Sequence, residues 1–545
     1  MYSAGLWRVK RTTKSFSPVL SHGNFKQTKV KTKIINGFPA SVYKGMEAVE
    51  CLHMNTNRNH IYIGNVDRLP QWACRSTVED VEGGELSDDN LHKVVGKVRE
   101  LIKNYLQLDS VNFLFGTGSS IHLGAASIQN IPKQAEEDIA NSGDRELKED
   151  FKKYITQLQK SLKDANNAEK YKKFKDERGW DVIYDGTYIR DYKKIEGKEG
   201  GEDAPEMHYG EICVMFELLL NYLTAISYQK NAENDKKGFE RVHNLINSLK
   251  ASLFNICDVH ERDTNQRDWD RIEKKGFKET FSTDKYIFHE KFLKSLMQRP
   301  LNLQRANIFT SNYDLAFEYA FDNLGIKYID GFSGFHHRYF KPETFNYDIF
   351  YPGSTTAGKV QRIEKVVRYF KLHGSISWVA DNNHSSNNIY GIEEMPIDLI
   401  KRKAKEGGDF SFGNLMVYPT AVKKSYTLDL PYSELFRHFA YCTSQPQSVL
   451  FTVGYSFCDE HFNDIIYQAL SNPSFTLIIV DFNGTRGSKE IKRLKDLNDP
   501  RIIILEGDFF GDFLTLADTL MPDFLDTSSS DSVADTLNAL LSKAY

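Results

Sequence analysis

From residue 91 onward the apolar positions fall into two alternating signals. Val94, Val95, Val98, Leu101, Ile102 and Tyr105 recur at three- and four-residue intervals, which predicts a helix of about four turns. The run 111–115 is short, apolar and unbroken, the pattern of a strand covered on both faces. It leads at once into Gly116-Thr117-Gly118-Ser119-Ser120 and a small-residue stretch, Gly124-Ala125-Ala126, so the order is strand, glycine turn, helix start. After residue 300 the alternation resumes, with a strand over 307–310, a helix over 315–324 and a strand over 366–372. Four further apolar runs (415–418, 448–453, 476–480 and 501–505) are partly separated by helices expected over 432–441, 462–470 and 488–497. Short β-branched runs alternating with helices predict an α/β fold with a parallel sheet clothed on both sides.

Residues 133–300 interrupt this pattern and read as a helical insertion. Phe151, Tyr154, Ile155, Leu158 and Leu162 form the apolar stripe of a charged helix, and 211–228 is apolar almost all round, as expected in the middle of a bundle. Further helices are expected over 239–257 and 287–297, and the Gly-, Lys- and Glu-rich stretch 193–206 reads as an exposed loop. None of these segments carries a catalytic spacing. The domain plan is therefore an N-terminal extension (1–90), an α/β domain (91–525) with its insertion (133–300), and a Ser- and Asp-rich tail (526–545).

Charge and composition change the picture little. Over 545 residues, 40% hydrophobic and 13% aromatic side chains suffice for a substantial core, and a net charge of −4 gives no global push toward nucleic acid or membrane. No stretch approaches about 18 consecutive apolar residues, and the N-terminus lacks the apolar segment of a signal peptide. A cytoplasmic location with no membrane partner is the expectation. The first 35 residues carry Arg8, Lys10, Arg11, Lys14, Lys26, Lys29, Lys31 and Lys33 and no acidic side chain. That arm reads either as a soluble, mobile tail or as one that pairs with an acidic surface or nucleic acid. Within 36–90 only strand-like pieces such as 61–63 stand out. The 6 cysteines are scattered with no CxxC pair, so no structural zinc is expected.

Ligands of open α/β sheets sit beyond the carboxyl ends of the strands, and polar residues collect there. The glycine turn can let backbone approach a pyrophosphate, with the following helix offering N–H groups, although the third glycine and the distal acid of the dinucleotide fingerprint are missing. Thr310-Ser311-Asn312-Tyr313-Asp314 offers an amide and a carboxylate, or equally an Asx turn with a helix cap. Lys371-Leu372-His373-Gly374-Ser375 offers an imidazole suited to general-base work. Val453-Gly454-Tyr455-Ser456-Phe457 with Asp459 and His461, Asp481-Phe482-Asn483-Gly484, and Gly507-Asp508 complete the series. Each alone reads as a turn.

Taken in order, these motifs resemble those of sirtuin-like domains, in the branch found in bacterial antiphage defence. The chain looks like the sirtuin-like subunit that such systems pair with a HerA-type hexameric ATPase. The resemblance spans 91–522, is dense over 308–475, is weak in the insertion, and does not extend to residues 1–90. It implies a Rossmann-like sheet and an NAD+ hydrolase that releases nicotinamide and ADP-ribose, depleting NAD in abortive infection. By the same resemblance Asn312 and His373 are the catalytic pair and Asp314 a supporting carboxylate. Gly116, Gly118 and Ser119 form the pyrophosphate cradle, Gly454, Tyr455 and Ser456 line ribose and phosphates, and Asn483 holds the adenosine ribose. NAD is substrate, with no further cofactor, and a homo-oligomer docked on the ATPase is implied. Ser311 stands where deacetylases have Gln, and between His373 and Gly454 the only cysteine is Cys442 in place of the zinc-ribbon set. Protein deacylation is thereby disfavoured. Two rivals remain: a nuclease using Asp459, His461 and Asp464 on a metal, and a module that senses NAD or ADP-ribose. His336, His337 and Arg338 read as part of a cover over the cleft or as helix–loop surface.

Overall fold

The computed structural model describes residues 58–73, 88–126, 131–165, 216–351, 361–380, 388–406 and 431–523, together with short strands within 172–213. The basic arm, the 193–206 loop, the 415–418 run and the 526–545 tail lie outside the described residues.

A nine-stranded, largely parallel sheet forms the centre. In chain order its strands are β1 (His60–Ile63), β2 (Val66–Asp67), β3 (Ser110–Phe115), β4 (Asn307–Thr310), β5 (Lys327–Ile329), β6 (Val366–Lys371), β7 (Ser448–Val453), β8 (Thr476–Asp481) and β9 (Ile502–Glu506). They lie side by side as β2-β1-β9-β8-β7-β3-β4-β6-β5. Every neighbouring pair from β9 to β5 is parallel. Only β1, paired with β9 and β2, runs antiparallel.

Strict alternation along the strands explains why helices cover both faces. Val111, Phe113 and Phe115 of β3, with Val449, Phe451 and Val453 of β7, enter one core with the Asp88–Leu106 and Ile287–Leu296 helices. Leu114, Leu450, Leu477 and Ile479 enter the other, with the Tyr432–Thr443 and Glu460–Leu470 helices. The fold is an α/β sandwich, as the patterning leads one to expect, and is Rossmann-like, as the resemblance implies.

The boundaries differ from the expected plan in two places. The sheet starts before residue 91, because β1 adds to its edge through Ile61↔Leu505 and Tyr62↔Ile504. The piece at 61–63 reads as strand-like in the sequence, but its place in this sheet is set only by its partner. The insertion is also shorter than 133–300. The helices Ile131–Asn141, Arg145–Ala165, Phe216–Ala232 and Lys236–Cys257 build a separate core around Leu223, Leu245 and Leu249, but Ile272, Phe281, Phe288 and Phe292 belong to the sheet's own core. Of the 211–228 segment, the described part of the Phe216–Ala232 helix turns Phe216, Leu219, Leu220 and Leu223 into this core and exposes Tyr228.

Parallel order reverses between β3 and β7. From β3 the chain lays β4 alongside, then β5 at the edge and β6 between them, and crosses back to build β7, β8 and β9 on the other side. In open α/β sheets a switch point of this kind, here beyond the carboxyl ends of β3 and β7, is where ligands bind.

Candidate functional site at the carboxyl edge of the sheet

Register brings the sequence motifs to one edge. Phe115 lies opposite both Val453 and Thr310, Thr310 opposite Lys371, and Asp481 opposite Glu506. The residues that follow each of these emerge together.

At the switch point the two glycine turns touch backbone to backbone. A Cβ on Gly118 would sit 2.5 Å from Gly454 Cα, and one on Gly116 would sit 2.5 Å from Gly454 O. Gly454 also adopts φ +60°, a conformation that glycine enters at little strain. The α-helix expected after this turn is replaced by two single 3-10 turns, Thr117–Ser119 and Ile121–Leu123. The Gly116 N–H donates to Val453 O and the Gly118 N–H to Gly454 O (both 3.0 Å), and the Ser119 N–H turns back to Gly116 O. These amides are therefore spent inside the protein, and the glycines serve the close approach of two turns.

Asn312 reaches this junction from the end of β4. Its Nδ2 donates to Gly116 O at 3.0 Å and lies 3.3 Å from both Ser119 Oγ and Ser120 Oγ. A carbonyl facing Gly116 O would be repelled, so chemistry fixes the amide's orientation. Its other end is telling: Asn312 Oδ1 is buried and has no hydrogen-bond partner. Such an acceptor is costly unless a ligand or water fills it.

His373 emerges from the adjacent β6. Leu372 N–H donates to Thr310 O (2.9 Å) and Ile376 N–H to Tyr313 O (3.1 Å), which holds the two strand ends side by side. The His373 ring is buried, 6.4 Å from the Tyr313 ring and 5.1 Å from that of Phe462. Its Nε2 lies 3.3 Å from His461 Nε2.

Asp314 closes an Asx turn onto the Ala316 N–H (3.0 Å) at the start of the Ala316–Leu324 helix. Burial raises its pKa, opposed by Lys371, the Ala316 N–H and Ser120. Lys371 is buried beneath it, donating to Asp314 O and, at 2.9 Å, to Glu318 Oε1. Tyr455 turns inward, its hydroxyl 3.3 Å from Asp459 O, whereas Ser456 is exposed. Asn483 is exposed beyond β8 and donates its backbone N–H to Asp481 Oδ1. Burial pushes Asp481 up to about 6 despite that bond and one from Gly484 N–H.

The structure thus gathers Gly116, Gly118, Ser119, Asn312 and Gly454 at one junction with His373 beside it, and leaves Asn483 outside it, at the end of β8 next to β7. Ser120 and His461 belong to the motifs read at this edge in the sequence, but neither was given a role in the NAD site there. Ser120 is the last residue of the glycine turn, and His461 lies in the first turn of the helix leaving the same edge, so proximity to that edge was the available signal. Among the described residues no three His, Cys, Asp or Glu side chains are arranged to hold a metal ion. His336 to Arg338 lie on neither helix nor helix–loop surface: Arg338–Phe340 is a strand of a small antiparallel sheet, with Arg338 paired to Asp330 and Glu394.

Fold and edge define a Rossmann-like α/β protein with polar side chains gathered at its topological switch point. Residues 306–499 match the SIR2-like domain family, which supports a sirtuin-like character for that part of the chain and is compatible with NAD-dependent activity. The match takes in Asn312, His373 and Gly454 but not the 116–119 turn or the helical insertion. No curated protein matches the chain. No helix among the described residues is long and apolar enough to cross a membrane.

Proposed function

We propose that this chain hydrolyses the nicotinamide–ribose bond of NAD+, giving nicotinamide and ADP-ribose. The observation that carries the reading is the Asn312 amide, anchored through Nδ2 and presenting an unpartnered, buried Oδ1 beside the strand end that holds His373.

The nicotinamide leaving group already bears positive charge, so bond breaking needs no strong acid. It needs a held ribose, a dry site and a delivered water. Asn312 Oδ1 is an acceptor for a ribose hydroxyl or for the attacking water, and His373 takes the proton as the oxygen bonds to C1′. Asn312→Ala and His373→Ala should each lower nicotinamide release at least about a hundredfold. Full turnover in both purified variants, with any activator present, would overturn the assignment. Activity that survives EDTA excludes the metal-dependent nuclease, and tight NAD binding by calorimetry without nicotinamide release would mark a sensor instead.

The finer reading follows the resemblance: an antiphage effector that depletes NAD, acting in the cytoplasm as a homo-oligomer on a HerA-type ATPase, with no zinc and no deacylase activity. Nicotinamide release measured with and without a candidate ATPase tests the partnership directly.

A further inference from the structure

His461 occupies the second position of the Glu460–Leu470 helix. Its ring is buried between Phe436 and Phe462, with centroids at 4.8 and 4.7 Å. The chain leading to it is bent by Phe457, a non-glycine residue at φ +59°. Asn463 Nδ2 braces the bend by donating to Phe457 O at 2.9 Å. A bulky residue held in the left-handed region stores about 1–3 kcal/mol and persists only where the surroundings impose it. Here the bend starts the helix so that His461 faces back onto β6's end.

The two Nε2 atoms, 3.3 Å apart, constrain each other. Two N–H groups would repel, as would two lone pairs, so one ring donates and the other accepts. We infer that His461 is a positioning residue for His373: its Nε2 lone pair accepts the His373 Nε2–H and so makes Nδ1 the basic nitrogen of His373. This rests on the reading of His373 as the base in NAD cleavage. In that step a water O–H bond breaks and an N–H bond forms at His373 Nδ1. The oxygen pair bonds to C1′, and nicotinamide departs with the glycosidic electrons. The imidazolium keeps its Nε2–H on His461, the orienting and charge-stabilising part that a carboxylate plays in a triad, and it later returns the proton to solvent.

The test compares nicotinamide release by the full chain carrying His461→Phe, His461→Gln and His373→Ala. His461→Phe should lower kcat about tenfold or more with the KM for NAD within about twofold. His461→Gln, whose amide oxygen still accepts, should recover most of that loss. Wild-type kcat in His461→Phe, or Gln as impaired as Phe, overturns the positioning role and leaves the hydrolase reading intact. Full turnover in His373→Ala overturns the reading beneath it. Independently of activity, NMR of the chain labelled with 13C,15N-histidine should find the Nε2–H tautomer of His373 in the wild type and a mixture in His461→Phe. The Nδ1–H tautomer in the wild type would refute the inference.

Discussion

Acid should weaken this protein through two histidines that lie outside the site's chemistry. His122 and His289 are fully buried with rings stacked 5.5 Å apart among Phe281, Phe288, Phe317 and Phe513. None of their four ring nitrogens has a hydrogen-bond partner. Burial pushes His289 down to about 3, and burial, then the neighbouring His289, Arg271 and Lys285, push His122 well down as well. In the unfolded chain both take a proton near pH 6.5, whereas the folded protein excludes it until far lower pH. The unfolded state therefore binds more protons through this window, and the stability from keeping the rings neutral is complete above pH 6.5 and lost as pH falls toward 3. For His289 alone the loss between pH 7 and pH 5 is about 2 kcal/mol, and His122 adds in the same direction. Urea unfolding of the full chain and of His289→Leu at both pH values measures it. The variant should lose about 2 kcal/mol less than the wild type on acidification. It should also match or exceed wild-type stability at pH 7, because it deletes unpartnered polar atoms. An unchanged pH dependence in His289→Leu would refute the argument.

Three further outcomes follow from the packing. Gly454→Ala puts a Cβ against Gly118 Cα at φ +60° and should destabilise by at least about 2 kcal/mol in thermal unfolding, whereas Gly96→Ala, with nothing within 4 Å, should not. Lys371→Met leaves Glu318 without its buried cation and should cost about 3–5 kcal/mol in urea unfolding, of which a second change, Glu318→Gln, should restore a part. Leu249→Ala in the insertion core should cost about 2–5 kcal/mol. Because Ile376 and Tyr313 pack on that core, it should also slow NAD turnover, and an unaltered rate would show that the insertion does not brace the site.

Periodicity alone determined most of the sheet. A short apolar run bounded by glycine or Asn/Asp has few ways to bury its backbone, and β3, β4, β6, β7, β8 and β9 all fall within a residue or so of where the patterning puts them. The order of motifs also determined which edge carries the polar groups, since strands that run parallel present their carboxyl ends together. What local pattern does not encode is pairing. The strand at 60–63 gains its ladder from β9, and after Gly116 the chain makes two 3-10 turns, packed against the Gly454 turn, where an α-helix was expected. Only the tertiary structure decided that Asn312 spends its N–H groups on the glycine turn and presents its oxygen, and that His461, distant in sequence, meets His373. Both follow from side chains on different strands competing for the same few unpaired atoms at the switch point, a contest no single segment can settle.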